Sequence, residues 1–197
     1  GGAKVVKLNR VNLEEDAGKL VHAEDQESTL VDFNRGGMPL MELVTEPDMH
    51  SAKEAVAFAK ELQLILRYLG VSDADLERGQ MRFDANVSLA TSDERLATSL
   101  GIKVEIKNLN SFAALEQAIN FEIQRQEEIL EKGEKVKQET RGWDDAKKKT
   151  ASQRSKEEAH DYRYFPEPDL PPLASSDFDL KNLQLAVPEL ADQKRKR

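Results

Sequence analysis

The residue types best suited to chemistry stand together in residues 82–89, which read RFDANVSL. If this stretch is a β-strand, successive side chains point to opposite faces and one face is apolar. The other face then presents a cation, a carboxylate, an amide and a hydroxyl, supplied by Arg82, Asp84, Asn86 and Ser88. This set suits phosphate groups and a metal ion, because both are bound by such groups. A solvated strand face is the alternative interpretation.

A second polar row is predicted in residues 102–109, which read IKVEIKNL. Its apolar side chains alternate with Lys103, Glu105 and Lys107. If the two strands pair antiparallel, their polar side chains form a single mixed-charge face. That face would contain Arg82, Asp84, Asn86, Glu105 and Lys107.

Further candidate residues precede these strands. Glu14, Glu15 and Asp16 are adjacent carboxylates, which a folded protein either leaves in water or neutralises with a metal. Glu42 lies within an otherwise apolar predicted strand, where a half-buried carboxylate needs a partner. Arg35 adjoins a pair of glycines that could approach a ligand closely or form a plain tight turn.

The composition limits the class of protein. The 197 residues include 29 basic and 37 acidic side chains, giving a net charge of −8 that argues against a broad nucleic-acid-binding surface. There is no cysteine, which excludes disulfides and thiol catalysis, and no apolar run approaches the ~20 residues of a membrane span. We expect a reducing location and no membrane. The three histidines have no metal-ligand or catalytic pattern around them, which disfavours a metal-dependent hydrolase.

Helices and hairpins are predicted around these residues. The strongest is a helix over 51–69, with a capping box at Ser51 and a stop at Gly70, and a second helix is predicted over 111–132. Strands are predicted over 4–13, 20–22, 29–33, 40–46, 138–143 and 150–154, a short helix from 155, and an extended proline-rich segment over 161–173.

Eight motifs occur in the order of a known family. They are LEEDAGK (13–19), LVDFNR (30–35), TEPD (45–48), ILRYLGVSD (65–73), RFDANVS (82–88), VEIKNLNSF (104–112), QETR (138–141) and SKEEAHDYRYFPEPDLPPL (155–173). Together they closely resemble the B subunits of the bacterial and organellar glutamyl/aspartyl-tRNA amidotransferases. The resemblance implies an α+β fold, with a curved antiparallel sheet and packed helices similar to the catalytic domain of glutamine synthetase. It assigns residues 1–173 to part of the catalytic domain and 174–197 to a linker and the start of a helical domain.

The resemblance also implies an activity. Members of this family use ATP and magnesium to phosphorylate the side-chain carboxylate of Glu-tRNA(Gln) or Asp-tRNA(Asn), and ammonia then displaces the phosphate. Such an enzyme is a carbon–nitrogen ligase with glutamine as amido donor. Its partners are a glutaminase subunit, a small bridging subunit and the mischarged tRNA, in the cytoplasm of a bacterium or the matrix of an organelle. The alternative is a scaffold or interaction module of that complex without activity of its own.

Site residues follow from the matched motifs. The resemblance implies metal binding by Glu15, Glu42 and Asp84, with Arg82 joining Glu15 and Asp84 in catalysis. Phosphate or nucleotide contacts are predicted, from charge and position, for Arg35, Arg82, Asn86, Lys107 and Lys19. A structural ion pair is the alternative role for each of the basic residues.

Two departures from the family pattern stand out. The family usually has a histidine two residues before the acid pair, where this chain has Asn12. The family's amino-terminal strand, with a Glu-x-His metal pair, is expected to precede residue 1. The chain is therefore expected to hold part of the site, without the carboxy-terminal domains that bind tRNA.

Overall fold

The computed structural model of the chain describes residues 4–22, 28–90, 100–155 and 174–197. It divides into two compact units, Gly1–His50 and Ser51–Arg197. The predicted short helix after Ser155, the extended segment over 161–173 and the loop over 91–99 lie outside the described residues. The domain boundary at residue 173 stays a prediction.

The first unit consists of two antiparallel strand pairs. β1 (Leu8–Glu15) pairs with β4 (Pro39–Thr45), and β2 (Lys19–His22) pairs with β3 (Thr29–Asp32). The pairing of β2 with β3 confirms the hairpin predicted from the strands over 20–22 and 29–33. The first strand begins and ends later in the chain than the alternation over 4–13 predicts, and its last two residues are Glu14 and Glu15.

The second unit begins with the predicted helix α1 (Ala52–Leu69). The Ser51 hydroxyl accepts a hydrogen bond from the backbone N–H of Glu54 and caps the first turn. Gly70 ends the helix in the left-handed region at φ 69°, where its N–H donates to the carbonyls of Arg67 and Leu66. Both predicted termini are therefore confirmed.

A sheet of four strands follows, in the order β5 (Phe83–Val87), β6 (Val104–Leu109), β7 (Glu139–Asp144), β8 (Lys149–Ser155). β5 and β6 pair antiparallel, as predicted, and so do β7 and β8. β6 and β7 pair parallel, so the prediction of a purely antiparallel sheet is wrong here. The reason is helix α2 (Phe112–Glu131), which carries the chain from the end of β6 back to the start of β7.

The core of the second unit lies between this sheet and the two long helices. Val87, Ile106 and Trp143 from the sheet pack with apolar residues of α1 and α2. Helical spacing predicts an α2 stripe through Leu115, Ile119 and Leu130, but Leu130 is 37% exposed. The buried face of α2 continues instead through Glu122 and Gln126, both 0% exposed. The α+β class is confirmed.

The carboxy-terminal region is helical. A 3₁₀ turn at Ser175–Asp177 precedes α3 (Leu180–Ala186) and α4 (Ala191–Lys196). α4 lies against α1, where Arg195 Nη2 binds Glu61 Oε1 at 2.7 Å and the Lys194 ammonium lies 4.9 Å from the centre of the Tyr68 ring. Within the described residues, no helix is long and apolar enough to cross a membrane.

Candidate functional site

The predicted polar face is present on the exposed side of the four-stranded sheet. Strand alternation turns Val87, Val104 and Ile106 into the core. It leaves polar side chains of β5 and β6 on the opposite face, with Asn86 directly opposite Glu105. We call the set Asp84, Asn86, Glu105 and Lys107 the polar face. The core packing of the alternate residues fixes which way these side chains point.

An ion pair organises the polar face. Lys107 Nζ lies 2.9 Å from Asp84 Oδ2 and 3.4 Å from Glu105 Oε1. Glu105 Oε2 in turn accepts a hydrogen bond of 2.8 Å from the Thr140 hydroxyl on β7. Partial burial by itself lowers the pKa of Lys107, but the hydrogen bond and charge of Asp84, with those of Glu105, raise it above its ordinary value. Lys107 is therefore an ammonium at neutral pH.

The next row of the sheet has little side-chain bulk. Lys107 is paired with Gly142 on β7, which is paired with Ala151 on β8. A Cβ at Gly142 would overlap the side-chain amide of Gln153 and would lie 3.2 Å from Asn108 Nδ2. The side-chain amides of Gln153 and Asn108 thus lie close to the backbone of Gly142, next to Lys107 in the sheet.

Backbone conformation sets Asn108 apart from the other β6 residues. Its φ of 67° lies in the left-handed region, which asparagine tolerates better than most residues. The Asn108 conformation falls next to the register shift between Phe83 and Ala85 in the β5–β6 pairing. Irregular strand positions of this kind change the direction of a side chain at the edge of a site. Sequence reasoning missed Asn108, Gly142 and Gln153, although an Asn-Leu-Asn run at a strand end is a usable signal.

Arg82 is exposed and directly precedes β5. The sequence predicts Arg82 within the strand, whereas β5 begins one residue later, and the roles of Arg82 in catalysis and phosphate binding stay predictions. Ser88 follows the end of β5 and is partly buried.

In the first unit, the register of β1 and β4 places Asn12 directly opposite Glu42. Asn12 Nδ2 donates a hydrogen bond of 2.7 Å to Glu42 Oε2. The carboxylate that needed a partner therefore has one, and that partner is Asn12. Strand alternation places Glu14 on the same face as Asn12 and Glu15 on the opposite face.

The loop after β3 is tied to the end of β1. Arg35 Nε lies 2.7 Å from Asp16 Oδ2, and the Gly37 N–H donates to the Asp16 carbonyl. Gly37 has φ 77°, and a Cβ there would lie 3.3 Å from Glu15 Oε1. In this structure Arg35 thus forms the ion pair given above as its alternative role. Lys19 is exposed and pairs with Asp32 in the β2–β3 register.

The donor chemistry fits magnesium. Mg²⁺ prefers hard oxygen ligands and is commonly held by one or two carboxylates together with substrate phosphates and water. Asp84, Glu105 and Asn86 offer such oxygens on one exposed sheet face, and Glu42 offers one in the first unit. Within neither unit do three or more described Asp, Glu or His side chains form a group that would hold a metal by themselves. A site of this kind depends on phosphate oxygens for the remaining ligands.

Behind the sheet, sequence reasoning missed a buried ionic network. Arg125 on α2 donates to both oxygens of Glu122, at 2.7 and 2.9 Å. Arg141 on β7 lies 3.8 Å from Glu122 Oε2 and 2.6 Å from Glu139 Oε1. Gln126 Nε2 bonds Glu122 and the Val87 carbonyl at the end of β5. The network joins α2 to strands of the sheet.

Two features of this network bear on its energetics. The side-chain oxygen of Gln126 is buried with no hydrogen-bond partner among the described residues. The pKa of Arg125 is raised by its hydrogen bonds to Glu122, against the effect of burial. A signal in the sequence was available, since Glu122 and Gln126 continue the helical spacing of Leu115 and Ile119.

Comparison with known proteins identifies relatives along the whole chain. The family model described as the GatB/GatE catalytic domain matches residues 1–180. The B subunit of the aspartyl/glutamyl-tRNA(Asn/Gln) amidotransferase of Thermosipho melanesiensis is 51% identical over 195 residues, which cover 97% of this chain and 40% of that protein. Its counterpart from Thermodesulfovibrio yellowstonii, of the same description, is 51% identical over 197 residues, covering 100% of this chain and 41% of that protein. The chain thus spans about 40% of the length of these curated relatives.

Proposed function

Because the chain belongs to the GatB/GatE catalytic domain family, we propose that it carries the carboxylate-activating site of a tRNA-dependent amidotransferase. The substrate is the glutamyl group of Glu-tRNA(Gln) or the aspartyl group of Asp-tRNA(Asn). The reaction converts the side-chain carboxylate into an amide at the expense of ATP. This makes the full-length protein part of a carbon–nitrogen ligase that uses glutamine as amido donor.

The observation that carries this proposal is the pairing of Asp84 with Lys107 on an exposed sheet face. The two atoms are 2.9 Å apart, and Asn86 and Glu105 lie on the same face. Both strands fall inside the region matched by the family. A carboxylate can hold the metal of a nucleotide, and an ammonium and an amide can donate hydrogen bonds to its phosphates.

Magnesium bound here would neutralise charge on the transferring phosphoryl group. On the polar face, the residue proposed to hold it is Asp84. In the first unit, Glu42 and Glu15 stay predicted carboxylate ligands, and they lie on opposite faces of the β1–β4 pair. Asn12 holds one oxygen of Glu42 by its hydrogen bond and leaves the other oxygen available.

The cationic side chains supply the rest of the phosphate binding. In the second unit, Lys107 and Arg82 are the proposed contacts, with Asn86 as a neutral donor. In the first unit, Arg35 and Lys19 stay predicted contacts. When the substrate carboxylate oxygen attacks the γ-phosphorus of ATP, the bond from that phosphorus to the β,γ-bridging oxygen breaks and ADP leaves. Positive side chains favour this transfer by stabilising the charge on the equatorial and leaving oxygens.

Ammonia completes the reaction. Its nitrogen attacks the acyl carbon, the bond from that carbon to the phosphate oxygen breaks, and inorganic phosphate leaves while the nitrogen gives up a proton. We propose that a glutaminase subunit supplies the ammonia, that a small bridging subunit joins the two, and that the tRNA is held by regions outside this chain. The location that follows is the bacterial cytoplasm or an organellar matrix.

The test is Asp84→Asn in the full-length protein, assembled with its partner subunits. We expect ATP-dependent amide formation to fall by on the order of 10²-fold or more, because the amide is a poor substitute for the carboxylate proposed to hold the metal that stabilises the phosphoryl charge. Asp73→Asn is the matched control, since Asp73 is exposed in the loop after α1 and lies outside the polar face. Nucleotide binding measured by calorimetry should weaken in the first variant only.

The scaffold alternative makes the opposite prediction. If this region only assembles the complex, Asp84→Asn leaves turnover and nucleotide affinity at the level of Asp73→Asn. That result, with an intact complex by light scattering, would overturn the proposed activity.

A further inference from the structure

The ammonium of Lys107 donates a hydrogen bond to one carboxylate oxygen of Asp84. Lys107 Nζ is 2.9 Å from Asp84 Oδ2, and a second carboxylate, Glu105, lies 3.4 Å away. A divalent cation at Asp84 would lie within a few ångströms of this ammonium. Like charges at that distance repel strongly when water screens them only in part.

We infer that Lys107 is a movable counter-ion, which neutralises Asp84 and transfers to a phosphate oxygen when a divalent cation binds that carboxylate. The inference rests on the proposed function, because it takes Asp84 as a metal ligand. It adds a competition between an internal cation and the metal, and it gives Lys107 two successive partners. Lys107 thus affects the metal indirectly, by competing for Asp84, and contacts the phosphate directly.

The exposure of the pair makes such a transfer feasible. The Lys107 side chain is 41% exposed and that of Asp84 is 50% exposed. Exposed ion pairs contribute little to stability, so separating this pair costs little. Lysine also has a flexible stem and three rotatable donors, which lets it exchange one oxygen acceptor for another.

Glu105 provides the fixed point for this movement. Its side chain is 27% exposed, and the Thr140 hydroxyl holds Glu105 Oε2 at 2.8 Å. The other oxygen of Glu105 faces Lys107. Lys107 can therefore leave Asp84 while it stays near a carboxylate that is held from the neighbouring strand.

The buried pair behind the sheet shows the contrasting design. Arg125 binds both oxygens of Glu122, and the two side chains are 19% and 0% exposed. A buried, doubly bonded pair is costly to break, because an uncompensated charge would remain in the interior. The chain thus has a buried, doubly bonded arginine pair behind the sheet and a more exposed lysine, in contact with Asp84 and Glu105, on the polar face.

The experiment measures metal and phosphate binding separately in the full-length protein. Mn²⁺ alone is titrated and followed by electron paramagnetic resonance, and inorganic tripolyphosphate is titrated by calorimetry without any divalent cation. Lys107→Met should bind Mn²⁺ about 10-fold more tightly, as expected for removing a nearby charge that water partly screens. It should bind tripolyphosphate about 10-fold more weakly, because the phosphate loses a cationic contact. A merely structural residue would not move these two affinities in opposite directions.

Lys103→Met is the matched control, because it removes the same charge just before β6 from a residue that is also exposed. Four residues of extended chain separate it from Lys107 by roughly 13 Å, beyond the ~10 Å screening length at 0.1 M salt. Both affinities should stay within about twofold of the wild type. Thermal unfolding of each variant, and of Lys107→Gln as a second replacement, shows that the fold is retained.

The outcomes separate the inference from the proposed function. Mn²⁺ binding that is abolished by Asp84→Asn but unchanged or weakened by Lys107→Met overturns the inference alone. Tighter Mn²⁺ binding with unchanged tripolyphosphate binding overturns the transfer to phosphate. Wild-type protein that binds Mn²⁺ no better than Asp84→Asn overturns the metal role of Asp84, and the inference with it.

Discussion

Asn12 on β1 holds the carboxylate of Glu42 on β4, with 2.7 Å between Asn12 Nδ2 and Glu42 Oε2. The two residues face each other in the strand register, although 30 residues of chain separate them. An amide is neutral at every relevant pH and donates through a fixed group. Asn12 therefore orients Glu42 without adding charge.

Asn12→Ala should reduce the kcat/KM of amide formation by about 10-fold, because second-layer partners that orient metal-binding carboxylates have effects of this size. The measurement is steady-state amide formation by the assembled full-length protein. Asn9→Ala is the matched control, since Asn9 Nδ2 makes an equally short bond of 2.7 Å to Glu46 in the same unit. Equal losses in the two variants would show that the bond only stabilises the strand pair.

Glu122→Gln should destabilise the second unit. The neutral amide cannot balance Arg125 and Arg141, and losing one partner of a buried ion pair typically costs about 3–5 kcal/mol. Urea unfolding monitored by the fluorescence of Trp143 measures the change in the free energy of unfolding. Glu127→Gln, an exposed replacement on the same helix, should change it by less than about 0.5 kcal/mol. Similar values for both variants would contradict a structural role for the network.

Glu139 gives the stability a dependence on pH. Burial alone would raise the pKa of Glu139, but hydrogen bonds from Ser152 and Arg141, with the charge of Arg125, lower it below its ordinary value of 4.5. Between the two pKa values the unfolded chain takes up a proton that the folded chain does not. The stabilisation is therefore complete above about pH 4.5 and is lost as the pH falls through the lower pKa of the folded state.

Free energies of unfolding between about pH 7 and pH 3 measure this effect. The wild type should lose stability more steeply below about pH 4.5 than Glu139→Gln does. Glu134→Gln, at an exposed position before β7, should follow the wild-type curve. Parallel curves for the wild type and Glu139→Gln would assign the acid sensitivity to other carboxyls.

Local signals in the sequence predicted local structure well. Ser51 and Gly70 bound α1 because a hydroxyl cap and a left-handed glycine act on the adjacent turn alone. The alternation in β5 likewise predicted that Asp84 and Asn86 share an exposed face. These features need no knowledge of distant residues.

Pairings between distant residues could not be predicted in the same way. The parallel pairing of β6 and β7 depends on the path of α2, and hydrophobic alternation carries no information on strand direction. Glu122 contacts Arg141 from another element, so its burial depends on a partner 19 residues away. The glutamine synthetase-like curvature of the sheet stays a prediction.

The parallel crossover has a consequence for synthesis. Thr140 on β7 bonds Glu105 on β6 across 35 residues of chain, and most of the residues between them form α2. At about 5–20 residues per second, a ribosome adds residue 140 roughly 2–7 s after residue 105. During that interval β5 and β6 have been synthesised, but the Thr140 hydroxyl that binds Glu105 has not. The hydrogen bond that holds Glu105 on the polar face can thus form only after α2 and the start of β7 have been made.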